Sequence, residues 1–291
     1  RVKLLQIIFS LIESNVVSVD ESMQDHVAYL IQERKQSIAT AEQSTYGALS
    51  HWLQSKEAAA QYCGHGWVLG ERVTVGDESD DPHSRHIETL ACETLRFGLK
   101  GRVTGSHLTS MHSMNNYYVS KLLPLMREAN IHVVANPLIN ITLQGRHDSY
   151  PKRRGMTRVP ELLAAGVNVA FGHDCVMDPW YSMGSHDMLE VASMGLHVGQ
   201  MTSLQGIQDA FNAVTYNGAK ALGLEGYGLE PGCKADLVIL QAANPFEALR
   251  LKPNRLFVIR NGDVIARTVP KENYITLGQQ EEAVSFSKDL F

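Results

Sequence analysis

The sequence lacks the signatures that would tie it to nucleic acid, a membrane or a thiolate metal knuckle. It has no basic excess: 26 Lys and Arg stand against 31 Asp and Glu, a net charge of −5 at pH 7. Binding through phosphate neutralisation needs a positive face, so no nucleic-acid partner is expected. The longest strongly apolar stretch, Leu4 to Ile12, is broken by Gln6 and Ser10 and closed by Glu13. That is far short of the roughly 18 residues of a membrane span. Arg1 and Lys3 imitate the start of a signal peptide, but no small-residue cleavage site follows. The four cysteines, Cys63, Cys92, Cys175 and Cys233, form no Cys-x-x-Cys pair, which argues against a zinc knuckle. Scattered thiols in a chain with ample core read as reduced and cytoplasmic. No internal repeat and no low-complexity tract interrupts the chain.

What is present is a globular composition, 44% hydrophobic and 20% charged over 291 residues. That is enough chain for one large domain or two small ones. Residues 1–70 predict a helical segment, from Leu4, Leu5, Ile8, Leu11 and Ile12 at helical spacing and a second stripe of Val27, Leu30, Ile31 and Ile38. Glycines at 64, 66, 70 and 76 end that pattern. From residue 71 to 230, short apolar runs (Arg72–Val75, Gly101–Ser106, Ile131–Asn136, Val167–Gly172) alternate with helical patterns (Ser84–Phe97, Tyr117–Glu128, Val159–Ala165). Continuous apolar strands alternating with helices predict an α/β fold with a parallel sheet. Leu204–Leu222 reads as one helix. Residues 231–270 predict a small β segment, with Asn261-Gly262 as a hairpin turn. Residues 271–291 read as a loose polar tail.

Each predicted strand ends in a polar group able to do chemistry. In a (β/α) barrel the active site lies at those ends. Gly172-His173-Asp174-Cys175 delivers a carboxylate, and a Pro-fixed loop then presents Trp180. Asp174 is a candidate metal ligand and proton acceptor, and Trp180 a stacking surface. The plainer alternatives are a helix cap and a core indole. Thr104-Gly105-Ser106-His107 brings an imidazole to the next tip, with Gly105 allowing a close approach to the backbone. His112 reads as a supporting residue. In Asp77-Glu78-Ser79-Asp80-Asp81, Glu78 is a candidate general acid beside acidic neighbours, against the alternative of a solvated surface run. The stretch from Asn136 to Gly155 reads as a long polar loop, a candidate lid.

Several segments together, DESDDPHSRHIETLA, GRVTGSHLTSMHS, NPLINITLQGRHDSYPKRRGMTRV, GHDCVMDPWYSMG and MGLHVGQMT, resemble the bacterial cytosine deaminase branch of the amidohydrolase superfamily. The resemblance runs from about Asp77 through the β segment. It implies a partial (β/α)8 TIM-type barrel, strands five to eight, with a helical N-terminal segment and a small C-terminal β segment. It also implies one divalent metal, iron or zinc, and hydrolytic deamination of a cytosine-like base by metal-activated water. By the same resemblance Asp174 is the metal ligand and proton acceptor, Glu78 the acid that protonates the ring nitrogen, and His107 the histidine that assists the hydroxide. Trp180 packs the ring. Cys175 stands where the cytosine enzymes commonly carry a second aspartate near the C5 edge of the base. A thiol there implies tolerance of a 5-substituent such as methyl.

One departure bears on the metal. The resemblance calls for a His-x-His pair and a histidine on the fifth strand. The twelve histidines include no such pair, and Val75 falls where that strand histidine belongs. His65 lies about ten residues too early for that position. The sequence therefore reads as the C-terminal half of a deaminase joined to a helical segment. A non-catalytic binding or partner subunit is the alternative reading. The partner expected is a small-molecule nucleobase, with no nucleic acid and no membrane, and a homo-oligomer is left open.

Overall fold

The computed structural model describes the backbone of residues 67–69 and the full residues 72–287. The predicted helical segment, residues 1–70, lies almost wholly outside the described residues, as does His65. Two compact units share the described chain. The first holds strands β1 (Trp67–Leu69) and β2 (Arg72–Gly76), paired antiparallel, together with Arg102–Thr104. Within it the Val73 N–H donates to the Arg102 carbonyl at 2.9 Å.

The second unit contains the rest and has an α/β fold. Strand β3 (Val103–Ser106) enters it at Gly105, followed by β4 (His132–Ala135) and β5 (Asn168–Phe171). β4 and β5 pair in parallel, His132 opposite Asn168 through Ala135 opposite Phe171. Val133, Ala135, Val169, Ala170 and Phe171 are buried. That is why β4 and β5 read as continuous apolar runs rather than alternating ones: successive residues on both faces are buried.

Helix α1 (His86–Arg96) buries Ile87, Ala91 and Thr94, and α2 (Asn116–Ala129) buries Val119, Leu122, Met126 and Ala129. Spacings of three and four place each set on one face. Asn115 caps α2 by accepting the Tyr118 N–H at 2.8 Å, and Asn130 ends it in the left-handed region. Next come α3 (Pro137–Leu143), α4 (Val159–Ala164), α5 (Met188–Val198), α6 (Leu204–Ala213) and α7 (Tyr216–Leu222). Two expectations are corrected here. The Asn136–Gly155 stretch is not loop throughout, because α3 occupies its first third, with Pro137 at the first helical position where a missing N–H costs nothing. And Leu204–Leu222 is two helices, broken at Val214 and Thr215, where the Thr215 backbone (φ −131°, ψ −101°) leaves the helical region.

The predicted small β segment is a three-stranded antiparallel sheet of β6 (Leu237–Leu240), β7 (Arg255–Arg260) and β8 (Asp263–Arg267), with α8 (Pro245–Leu251) between β6 and β7. Asn261 and Gly262 both have positive φ, 51° and 87°, as a two-residue hairpin requires. Arg255 on β7 reaches back to Asp187, the N-cap of α5, with 3.1 Å between Nη1 and Oδ2. Burial works against the Asp187 charge, but the Arg255 bonds and the Leu189 N–H outweigh it and hold the carboxyl below its ordinary range. The tail also departs from expectation: β9 (Tyr274–Leu277) and β10 (Gln280–Ala283) form a paired hairpin where residues 271–291 were predicted loose. Among the described residues no helix is long and apolar enough to cross a membrane.

Candidate active site

Backbone bonds stitch the strand ends of the second unit together. The Asp77 N–H donates to Ser106 O (3.0 Å), the His107 N–H to Val134 O (2.8 Å), and the Gly172 N–H to Ala135 O (2.9 Å). Neighbouring strands lie about 4.8 Å apart, so residues just past consecutive tips meet.

The acidic run 77–81 is solvated only in part, at Glu78 and Asp81, while Asp77 and Asp80 are drawn into the protein. Asp77, only 3% exposed, accepts from the Ser110 hydroxyl and the Ser79 N–H and meets His86 Nδ1 at 3.4 Å. Its carbonyl accepts from Thr109 N at 3.0 Å. Asp80 bonds His112 Nε2 at 2.7 Å and accepts the Gly145 N–H at 2.9 Å. The Glu78 carbonyl accepts from Gln144 Nε2 at 2.6 Å. The acidic neighbours expected to bear on Glu78 are thus committed to other partners, while the Glu78 carboxylate turns toward His107. Arg153, bonded to Asp148 and to the Asp80 carbonyl, ties the 144–155 segment to the same loop. Those bonds hold the Asp148 carboxyl down at about 2.

His107 and Leu108 both sit in the left-handed region, at φ 67° and 49°. Each such non-glycine residue costs about 1–3 kcal/mol and persists only where its surroundings impose it. Leu108 is buried, and a Cβ on Gly105 would lie 2.8 Å from its side chain. Gly105 therefore makes room for Leu108, not for a ligand. The turn aims the His107 imidazole inward, where Asn140 Nδ2 lies 2.9 Å from its Nδ1.

Asp174 repeats the device at the tip of β5, with φ 63°. Upstream, a Cβ at Gly172 would lie 2.3 Å from Asn136 Oδ1, so only glycine lets the strand end pass that side chain. Cys175 Sγ lies 3.6 Å from Asp174 Oδ2. Burial first, then the carboxylates of Asp178 and Asp174, push its thiol well above the usual range, so it stays neutral. Trp180 is not packed against protein: it is 64% exposed, on a loop whose Met177 and Met183 are also exposed.

His107 Nε2 stands 3.7 Å from Glu78 Oε1 and 3.7 Å from Asp174 Oδ2. These distances are too long for direct hydrogen bonds and short enough for electrostatic contact, with both carboxylates turned to the same ring nitrogen. The imidazole is almost fully buried, whereas the two carboxylates are each about one-third exposed, at 37% and 35%. Two acids and a ring nitrogen facing one space can give and take protons on a small polar molecule. Asn136 and Asn140 stand in the sequence as polar residues at the end of an apolar run, without a role of their own; the structure sets Asn140 against His107.

The metal that the fold implies does not fit the described residues. Among them no three His, Cys, Asp or Glu side chains gather as a ligand set. Asp174, with at most His107 beside it, falls short of the three protein ligands usual for a catalytic metal.

The chain belongs to the amidohydrolase family, whose model matches residues 43–273. It is 33% identical over 196 residues to a pterin deaminase from Rhizobium rhizogenes, covering 67% of this chain and 44% of that protein. It is 29% identical over 182 residues to N-isopropylammelide isopropyl amidohydrolase from Pseudomonas sp., covering 62% and 42%. In structure it is similar to 5-methylcytosine deaminase from Klebsiella pneumoniae liganded with phosphonocytosine, at a TM-score of 0.73 and 36% identity, over 89% of this chain and 63% of that one. The chain thus spans less than half the length of the two curated relatives.

Proposed function

We propose that this chain belongs to the cytosine deaminase branch and serves the hydrolytic deamination of cytosine or a 5-substituted cytosine. On this reading its strands β2 to β5 are strands five to eight of a (β/α)8 barrel, and its partner is a free nucleobase in the cytoplasm. The observation that carries the proposal is His107 Nε2 at equal distance, 3.7 Å, from the carboxylates of Glu78 and Asp174. The likeness to a 5-methylcytosine deaminase at 36% identity supports the ring class. In the reaction, water adds to the ring carbon that bears the amine, the carbon–nitrogen bond breaks, and ammonia leaves. Asp174 accepts the proton of the attacking water. Glu78 supplies a proton to the ring nitrogen, which makes the carbon electrophilic; Asp174 then passes the water's proton to the departing amine, and the hydroxyl proton of the adduct returns to Glu78 as the carbonyl forms. His107 steadies the oxygen between them. The described residues do not provide for the iron or zinc of the family, and these proton steps rest on side chains alone.

A neutral Cys175 beside Asp174 favours an apolar group at C5 over the hydrated edge of cytosine itself. One methyl group in a fitted pocket is worth about 10–200-fold in selectivity. Comparing kcat/KM for cytosine and 5-methylcytosine tests this, with the methylated base expected to win by at least about tenfold. A strong cytosine preference overturns the role of Cys175. Turnover of pterin alone reassigns the ring class. Binding of either pyrimidine without any ammonia release identifies a non-catalytic relative.

A further inference from the structure

We infer that Asn140 is a positioning residue that fixes the tautomer of His107, so that Nδ1 carries the lone pair and Nε2 presents an N–H between Glu78 and Asp174. The hydrogen bonds set the direction of the Asn140 amide. Asn140 is 1% exposed on the first turn of α3, and its Oδ1 accepts the backbone N–H of Asn136 at 3.2 Å. A backbone N–H only donates, so the end of the amide facing it is the oxygen. The other end is therefore the NH2 group, and it lies 2.9 Å from His107 Nδ1. An amide NH2 has no lone pair to offer, so Nδ1 must accept, and the proton of the neutral ring sits on Nε2.

The backbone makes the arrangement stiff. The Asn140 N–H donates to Asn136 O at 2.9 Å, and the Gln144 N–H donates to Asn140 O at 2.9 Å. The Asn136 side chain in turn donates to Ser106 Oγ at 3.3 Å, on the strand that delivers His107. Consecutive strand ends, β3 and β4, thus set each other's polar groups. The consequence is a division of labour. A ring nitrogen that already bears hydrogen is a donor toward the shared space, not a base and not a metal ligand. Proton acceptance falls to Asp174 and proton donation to Glu78, while His107 holds an oxygen by its N–H. This consequence for turnover rests on the deaminase reading; the tautomer itself does not.

The experiment is nitrogen-15 NMR of the histidine rings in the full chain near pH 8, above the ordinary histidine range of about 6.5. The His107 signals are assigned by their loss in H107Q. In the wild type, Nδ1 is expected to resonate as the unprotonated nitrogen and Nε2 as the protonated one. Asn140→Asp keeps the side-chain shape but replaces the NH2 group with an acceptor, and is expected to reverse the two signals. A wild-type Nδ1 that is protonated, or a pair averaged between the two forms, overturns the assignment without any variant. In turnover of the preferred base, N140D is expected to lower kcat by at least about tenfold while KM moves by less than about threefold. Equal kcat in N140D with reversed signals overturns the division of labour. The stated tautomer in a chain that turns over no base sinks the deaminase reading and leaves the Asn140 assignment standing.

Discussion

Two loops carry the carboxylates of the site, and they are built in opposite ways. The segment after β2 is anchored at nearly every residue. Asp77 is buried among Ser110, Ser79 and His86, Asp80 is shared by His112 and Gly145, and Thr109 holds the backbone. The segment after β5 is tied to its neighbour by the Gly172 bond to Ala135 and beyond Cys175 is bonded to itself, Met177 N–H to Met183 O and Asp178 to Tyr181 and Trp180, while it projects Met177, Trp180 and Met183 into solvent. The contrast separates positioning from contact. Glu78 is flanked by residues fixed by protein–protein hydrogen bonds, so little ordering of that loop remains to be done on binding. Trp180 is left where a ligand would have to cover it, and burying that indole is a gain reserved for the bound state.

The sharpest break in the comparison is chemical. Glu78→Gln keeps the shape of the loop and removes its proton, so kcat for the preferred base is expected to fall by about 10²–10⁴-fold with the melting temperature unchanged. A loss smaller than tenfold in steady-state turnover would dismiss Glu78 as the acid. The next effect is on stability. Asp77→Ala strands buried donors and is expected to cost about 2–3 kcal/mol in urea unfolding, whereas Trp180→Ala is expected to stay within about 0.5 kcal/mol. Equal costs for the two variants would erase the distinction between the loops.

The smallest effect is a pH slope. Burial holds the pKa of His112 below its ordinary value, against the pull of Asp80, with the Arg153 charge helping to lower it. The unfolded chain therefore binds more protons than the folded one below about pH 6.5. The contribution of neutral His112 is complete above that pH and drains away as pH falls toward the lowered folded value, by at most about 1.4 kcal/mol per pH unit. Melting temperature is expected to drop between about pH 7 and pH 5, with a shallower slope in His112→Asn. An identical slope in the variant would show that the anchored loop is not what titrates.

Much of the fold was legible because burial leaves a period in the chain. The apolar runs at 72–75, 131–136 and 167–172 coincide with β2, β4 and β5, and the turn at Asn261-Gly262 falls where two positive φ angles are required. Helix α5 went unread for the opposite reason. MLEVASMGLHV is apolar on most sides, with five buried residues, so it shows little amphipathic contrast. Helix α3 hid inside a stretch dense in Asn, Gln, Gly and Arg that reads as loop. The hairpin at 274–283 is exposed on both strands and leaves no alternation of apolar and polar residues to find.

The candidate residues Glu78, His107 and Asp174 were visible as polar groups at the ends of apolar runs, because a strand must stop burying itself where its chemistry begins. Local order along the chain carried that much. Which way those groups face was decided in three dimensions. The left-handed turns at His107 and Asp174, the placing of Asn140 against His107, and the capture of Asp77 and Asp80 by Ser110 and His112 all join residues far apart in the chain or backbone states that composition does not encode. A hydrogen bond has direction as well as distance, and direction exists only once the strands stand side by side.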